Sequence, residues 1–513
     1  MSTLKEDIAA MFAQGLADCG AHGELGELAA TLAQAQWAIG QPMRVALVGK
    51  TNAGKSTMLN AFLGEELAPT GNGELTFNVC WFRHAARKHL RVHTVDGATE
   101  DQDFDSLAQL AARCERDRHL LERIRYLEVF CPNPLLETFD LIDTPGLHSF
   151  YVKDSRNTTE LLTSPQSRPH ALVFLFSGAL QQPDVDELER FHAACGSVMS
   201  GITAIGALTK VDESPNGFAD GLRSIEQLSV QHPVVRRYFY AIEPVVGPAA
   251  FGAQTLTAAD HATLQQLAAL DDAVVQKLLL DVNRFCTREY PPETAIPGVA
   301  DRARLFERLG RYGVRTGVAL LRGGVARDAL ADVLLQRTGV DRLRTIVTAH
   351  FGGRAFLIKA RSALSLVREQ AFGLGERLRG PAALAAQGIA ARVDAIVANE
   401  LRFREFGVLE RHYAGALPFD DKGVRELLRV TGEDGPDCWA RLGAARDLPL
   451  ERLQAIAQDR ERAWRTRALD AFEGLHLQEA ARVVADSYAE IRHRLATASE
   501  HLQIANHLLA YRL

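Results

Sequence analysis

The chain has 513 residues, 47% of them hydrophobic and 24% charged, and carries a formal net charge of −6. That length exceeds what one hydrophobic core serves, so two or three folding units are expected, and the balance of apolar to charged residues excludes general disorder. The negative charge excludes a global field that would draw in nucleic acid, and none is expected as a partner; the seven cysteines contain no Cys-x-x-Cys pair, which argues against a zinc or disulfide framework and fits a reducing cytoplasm.

The acidic start, residues 1–7, lacks the basic and then apolar pattern of a secretory signal. The apolar runs fall short of the roughly 20 residues that span a bilayer, so any membrane contact is expected to be peripheral. Apolar residues at helical spacing (Leu4, Ile8, Met11, Phe12; then Leu25, Leu28, Leu32) predict helices ahead of the first strand, broken at Gly20 and Gly23. From Arg44 the pattern changes to short apolar runs at 45–48, 139–142, 171–176 and 202–208, the mark of buried parallel strands. A long insertion lies between Thr76 and Asp143, with strand-like 90–95 and 124–130 around a helical stretch near 107–121. After Gly247 alternation fades into an Ala-, Leu-, Arg- and Glu-rich region, punctuated by Pro291-Pro292, Gly323-Gly324 and Gly352-Gly353, which predicts helices. Near the end, Leu477, Ala481, Val484, Tyr488, Ile491, Leu495, Ala498, Leu502, Ala505 and Leu509 step by four and three. That period of about 3.5 residues predicts packing in a bundle, with an intermolecular coiled coil as the alternative.

Three motifs carry chemistry. Gly49-Lys50-Thr51-Asn52-Ala53-Gly54-Lys55-Ser56 follows a strand and precedes helix-like Thr57 to Leu63, the pattern of a phosphate loop. Its glycines let backbone N–H groups close on phosphates, Lys55 faces the β/γ oxygens, and Ser56 offers a magnesium ligand at a helix N-terminus. Asp143-Thr-Pro-Gly146 has the form of a switch II segment, with Asp143 holding Mg2+ through water and the Gly146 N–H sensing the γ-phosphate. Thr209-Lys210-Val211-Asp212 follows a strand and matches the guanine motif. A carboxylate at Asp212 accepts from both N1–H and the exocyclic amine of guanine, a pair of donors adenine does not present, so GTP and GDP are the expected ligands.

Two assignments rest on placement. Thr76 is preferred to Thr70 as the switch I threonine that binds Mg2+. Val246 and Gly247 are placed in the second guanine loop, although GTPases often have Ser-Ala there. Leu147 stands where many small GTPases carry a water-orienting glutamine, and it can neither donate nor accept. Asn52 stands at a phosphate-loop position that resembles the cation-binding Asn of potassium-activated GTPases, and that resemblance implies a catalytic residue that holds K+ against the phosphates beside Lys55 and Thr76; the alternative is that it only shapes the turn.

With helices before the phosphate loop, an insert between the switches and a helical region after, the chain resembles the bacterial dynamin-like proteins, and among them the mycobacterial isoniazid-inducible dynamin-like GTPases. The resemblance is carried by residues 45–57, 79–83, 334–343 and 351–364. It implies a fold of an α/β phosphate-loop GTPase domain of dynamin type with an all-α helical bundle, the neck and trunk, formed by the N-terminal helices and the C-terminal third. The implied division is 1–39 for the N-terminal neck helices, 40–352 for the GTPase domain with a helical insertion about 255–335, its last helix starting near Gly339, and 353–513 for the neck and trunk, hinged at Gly352-Gly353. It further implies GTP-driven dimerisation, as a homodimer or with a paired dynamin-like chain, movement of the helical part, and peripheral contact with lipid at the inner face of the cell membrane. No long apolar hairpin stands out as a membrane paddle; residues 414–419 (Ala-Gly-Ala-Leu-Pro-Phe) are the candidate tip, a plain surface loop being the alternative. The competing reading is a regulatory GTPase switch whose helical part binds a protein or ribosomal partner.

Overall fold

The computed structural model describes residues 4–510 apart from 51, 69–77, 112–122, 145–167, 179–184, 187, 190–199, 214–216 and 232–237. Helices α1 (Leu4–Gly20) and α2 (Gly26–Gly40) precede a sheet of nine described strands. These are β1 (Met43–Gly49), β2 (Cys80–His84), β3 (His89–Thr94), β4 (Thr99–Gln102), β5 (Ile124–Cys131), β6 (Phe139–Asp143), β7 (Ala171–Ser177), β8 (Ala204–Thr209) and β9 (Ala241–Pro244). Their order across the sheet is β4-β3-β5-β2-β6-β1-β7-β8-β9.

Strand β1 lies between β6 and β7, parallel to both, and every one of its residues is buried, which is why 43–49 is apolar without alternation. Strands β8 and β9 extend this parallel half. The long insertion builds the other half: β2 runs antiparallel to β6 and parallel to β5, and β3 runs antiparallel to both β5 and β4.

One face of the sheet packs on α3 (Lys55–Leu63) and α4 (Gly247–Gln254). Beyond α4, the helices Ala258–Ala269, Asp272–Leu280, Val282–Thr287, α5 (Val299–Arg322) and Leu330–Gln336 share a separate core around Leu264, Leu278, Phe285, Leu305 and Leu334. Helix α6 (Val340–Ile346) then returns to the sheet, continues through a π turn at Val347–Gly352 and runs directly into α7 (Gly353–Arg377). The expected break at Gly352 and Gly353 is therefore absent: both have helical dihedrals. Val347 and Phe351 bury themselves in the sheet core, and that packing carries the helix across two residues whose own propensity is poor.

The N-terminal helices return to the C-terminal third. Phe12 and Leu28 pack with Leu364 of α7 and Ile389 of α8 (Pro381–Asn399). Among the described residues α8 alone is long and apolar enough to cross a membrane. Its buried face, Ala382, Ala386, Ile389 and Val393, belongs to this helical core, so its apolar character has a packing explanation.

A further core joins α9 (Leu401–Tyr413), α10 (Leu450–Ala468) and α11 (Leu475–Ala510) through Val408, Leu453, Trp464, Val484 and Tyr488. The 3.5-period seam of α11 is internal as far as Leu495, 3% exposed, whereas Leu502 is 54% exposed. The proposed tip at 414–419 is not a tip: Leu417 and Phe419 are buried beside Trp464. Among the described residues, an exposed apolar turn lies instead between α10 and α11, with Leu469, Phe472 and Leu475 at 80%, 101% and 68% exposure.

Candidate nucleotide-binding site

The site sits at the C-terminal ends of the parallel strands, the side of an α/β sheet where ligands bind. Strand β1 ends at Gly49, where an added Cβ would come within 2.3 Å of the Leu175 carbonyl oxygen of β7, so only glycine lets the chain turn there. The turn continues through Asn52 at φ 64° and Gly54 at φ 89° into α3, with the Met58 N–H donating to Gly54 O at 2.8 Å. Lys55 is 8% exposed, and its Nζ donates to Gly49 O at 2.8 Å and Lys50 O at 2.9 Å, folding the ammonium back over the loop. Ser56 and Thr57 follow in the first turn of α3 and are half-buried, Ala53 is buried, and Asn52 is exposed.

Asp143 ends β6 opposite Leu47 and is 1% exposed. Burial pushes its carboxyl up to about 6, against the pull of the Lys55 ammonium. Its Oδ1 is buried with no hydrogen-bond partner among the described residues, an orphaned acceptor within the electrostatic reach of Lys55. Such an oxygen suits a divalent cation held through water, and cation binding would favour the deprotonated form. The neighbouring Thr144 hydroxyl donates to Leu47 O at 2.8 Å and fixes the exit from β6 to β1. Thr76, Gly146 and Leu147 lie outside the described residues.

Thr209 closes the arrangement. Its hydroxyl donates to Ala53 O of the phosphate loop at 2.8 Å and to Phe176 O of β7 at 3.1 Å, which ties the guanine motif to the loop. Lys210 turns the chain at φ 56°, with its ammonium 3.6 Å from Glu213. Asp212 occupies a short turn, Val211–Glu213, and burial raises its carboxyl above the usual range. Beyond β9, Val246 is buried and its N–H donates to Thr338 O at 2.9 Å, while Gly247 sits so close to Thr57 that an added Cβ would lie 3.2 Å from its Cγ2.

The fold thus brings residues 49, 50, 52–57, Asp143, 209–212 and 246–247 to one edge. Sequence reasoning missed the buttress behind them. Gly339, at φ 76°, approaches the Pro244 carbonyl so closely that a Cβ would stand 2.1 Å from its oxygen, and Thr338 is fully buried. A Thr-Gly pair placed just ahead of α6 is the only signal of it in the sequence.

A phosphate loop, a buried switch-type aspartate and a guanine-type motif on one sheet edge define a phosphate-loop GTPase domain. Residues 45–196 match the family model described as Dynamin family, and the chain carries a dynamin-type GTPase domain joined to a helical bundle. Along its length the chain is 29% identical, over 438 residues, to the isoniazid-induced protein IniC of Mycobacterium tuberculosis, an alignment covering 83% of this chain and 86% of that one. It is also 35% identical over 107 residues to dynamin-like protein 2 of Campylobacter jejuni, covering 21% of this chain and 17% of the relative. A solved chain from an oligomerised bacterial dynamin pair aligns over 95% of this chain and 90% of its own length at 13% identity, with a TM-score of 0.33. In sequence the chain is thus similar to the isoniazid-induced proteins and, over residues 45–196, to the Dynamin family.

Proposed function

We propose that the chain binds GTP with Mg2+, hydrolyses it to GDP and phosphate, and couples turnover to dimerisation of its GTPase domains and movement of its helical part at a membrane surface. Catalysis is assigned to Lys55, Thr76 and Asn52, nucleotide contact to residues 49, 52–57, 146, 209, 210, 212, 246 and 247, and Mg2+ to Ser56, Thr76 and Asp143. The observation that carries the nucleotide reading is the bond from Thr209 to Ala53, because it unites a base-reading motif and a phosphate-binding motif into one pocket wall. The division into 1–39, 40–352 with an insertion about 255–335, and 353–513 belongs to the same proposal. It is supported by the distinct apolar cores of the insertion and of the helical parts, although the sheet core also takes in Ile358, Phe406 and Leu409 from the C-terminal third.

The membrane part of the reading rests on the α10–α11 turn. Three large apolar side chains at 68–101% exposure on one convex turn stay in water at a cost that an interfacial lipid environment removes. Of the nearby charges, Arg467 pairs with Glu473 and Asp420, Arg411 pairs with Glu479, and Asp470 accepts from the Phe472 N–H. This leaves apolar insertion rather than attraction to anionic headgroups as the driving term. Co-sedimentation of the full chain with phosphatidylcholine vesicles, with and without a non-hydrolysable GTP analogue, tests it. The parent binds and Phe472→Asp does not. Failure of both to bind favours the competing reading, a GTPase switch whose helical part engages a protein or ribosomal partner.

K+ is proposed as a second cation, held by Asn52, which is exposed in the loop at φ 64°. The cation would supply charge where an arginine finger acts in other GTPases. Turnover in KCl against NaCl at equal ionic strength, across enzyme concentrations, reads both the K+ effect and dimerisation. Equal rates in the two salts remove the first, and a flat concentration dependence removes the second.

A further inference from the structure

Away from the nucleotide site, where α2 and α7 meet the start of β1, the side chains leave hydrogen-bond donors without acceptors. Arg44, the second residue of β1, is 3% exposed. Its N–H donates to His170 Nδ1 at 3.0 Å and its Nε to Arg168 O at 2.7 Å. Its Nη2 lies 3.2 Å from His170 Nε2. Burial and the charges of Arg44 and Lys359 hold His170 neutral, its pKa well below the ordinary histidine range. Because Nδ1 accepts from the backbone, the neutral ring carries its proton on Nε2, and two N–H donors then face each other.

Other groups in the same place have the same polarity. Gln34 Nε2 and Arg168 Nε are buried with no partner among the described residues. Lys359 uses two of its protons on Ile39 O and Gln41 O, the end of α2, and brings a further positive charge. Gln34, Arg44, Arg168, His170, Lys359 and Ser362 line a void of about 20 Å³, and no carboxylate is among its lining residues. Asp140, which attracts Arg44, is not among the lining residues; its Oδ2 is engaged by Trp81 Nε1 at 3.0 Å and Arg83 Nε at 3.5 Å, while its Oδ1 is buried with no partner among the described residues.

A void of this size holds one water-sized species. Water would bring two protons of its own into a ring of donors, where they would find few acceptors. A monatomic anion only accepts, and it adds to the attraction of Asp140 in offsetting the desolvation of the buried cations Arg44 and Lys359. We propose that this void is a binding site for a monovalent anion of chloride size, fastening α2 and α7 to the first strand of the sheet. The bound ion accepts from Gln34 and Arg168 and relieves the facing donors of Arg44 and His170. The proposal is independent of the nucleotide and membrane readings.

The test uses the full chain without nucleotide. Thermal unfolding in KCl, KBr and potassium gluconate at equal ionic strength separates the ion from general salt effects, gluconate being too large to enter. The parent is expected to melt about 2 °C higher in either halide than in gluconate. Gln34→Glu replaces the lone donor with an acceptor carboxylate, an internal substitute for the ion; it should melt higher than the parent in gluconate and lose the halide difference. Crystals grown in bromide should show an anomalous peak in the void. Equal melting of the parent in all three salts, a Gln34→Glu protein that keeps the halide difference, or bromide crystals without that peak would each overturn the site.

Discussion

Replacing Thr209 by valine separates the guanine motif from the phosphate loop with almost no change in shape. The side chain is 5% exposed and its one hydroxyl proton is shared between Ala53 O and Phe176 O, at 2.8 and 3.1 Å. Valine fills the same volume, so no cavity opens, but the Ala53 carbonyl loses its donor in a buried setting. Stranding a buried acceptor costs about 1–3 kcal/mol. If the loop must hold this geometry to bind nucleotide, the cost falls on affinity, a weakening of about 5- to 150-fold at about 1.4 kcal/mol per factor of ten. Titration with a fluorescent GDP analogue measures it, alongside the melting temperature of the nucleotide-free protein. Thr209→Ser keeps the hydroxyl and should stay within a few-fold of the parent. A Thr209→Val protein with parental affinity would refute the idea that this bond organises the site.

Lys55→Ala should abolish tight GTP binding by calorimetry, since it removes the cation folded over Gly49 and Lys50; unchanged affinity would place the phosphates elsewhere. Asp212→Asn should weaken GTP and favour xanthosine triphosphate, whose 2-oxo group accepts from the new amide, and competition binding reads the exchange. Burial raises the Asp143 carboxyl to about 6, so the protonated form is favoured as pH falls through that value and Mg2+ has to displace the proton. Mg2+ enhancement of nucleotide affinity should therefore be full near pH 7.5 and fade below about pH 6; a flat profile from pH 5.5 to 7.5 would contradict it. In the α11 seam, Ile491→Asp should lower stability by about 3 kcal/mol or more in denaturant melts, because Ile491 is fully buried, whereas exposed His493→Asp should change it by no more than about 0.5 kcal/mol.

The strands at 43–49, 139–143, 171–177 and 204–209 were legible because buried parallel strands are short, continuous apolar runs. The phosphate loop and the Thr209–Asp212 turn were legible for a related reason: glycine-dependent turns and short-range spacing are local properties of the chain. The seam of α11 was legible as periodicity, but not where it stops. Burial ends after Leu495, and nothing in the residues of α11 marks that point.

What only tertiary structure decided depends on partners far away in the chain. Thr209 reaches Ala53 across 156 positions, and Gly339 is required because the Pro244 carbonyl crowds it. Residues 414–419 read as an exposed apolar turn, yet Leu417 and Phe419 are buried against Trp464, while the ordinary-looking turn at 469–475 is left bare. Gly352-Gly353 reads as a hinge and is helix, because Val347 and Phe351 gain more by burial than two glycines lose by ordering. The sequence alone determines which segments can turn, cross a sheet or close on phosphate, since those follow from each residue's own sterics and its near neighbours. Which apolar turn is covered, and which donors meet without an acceptor at Arg44 and His170, follows from long-range packing, where the energy of each group depends on what the rest of the chain places beside it.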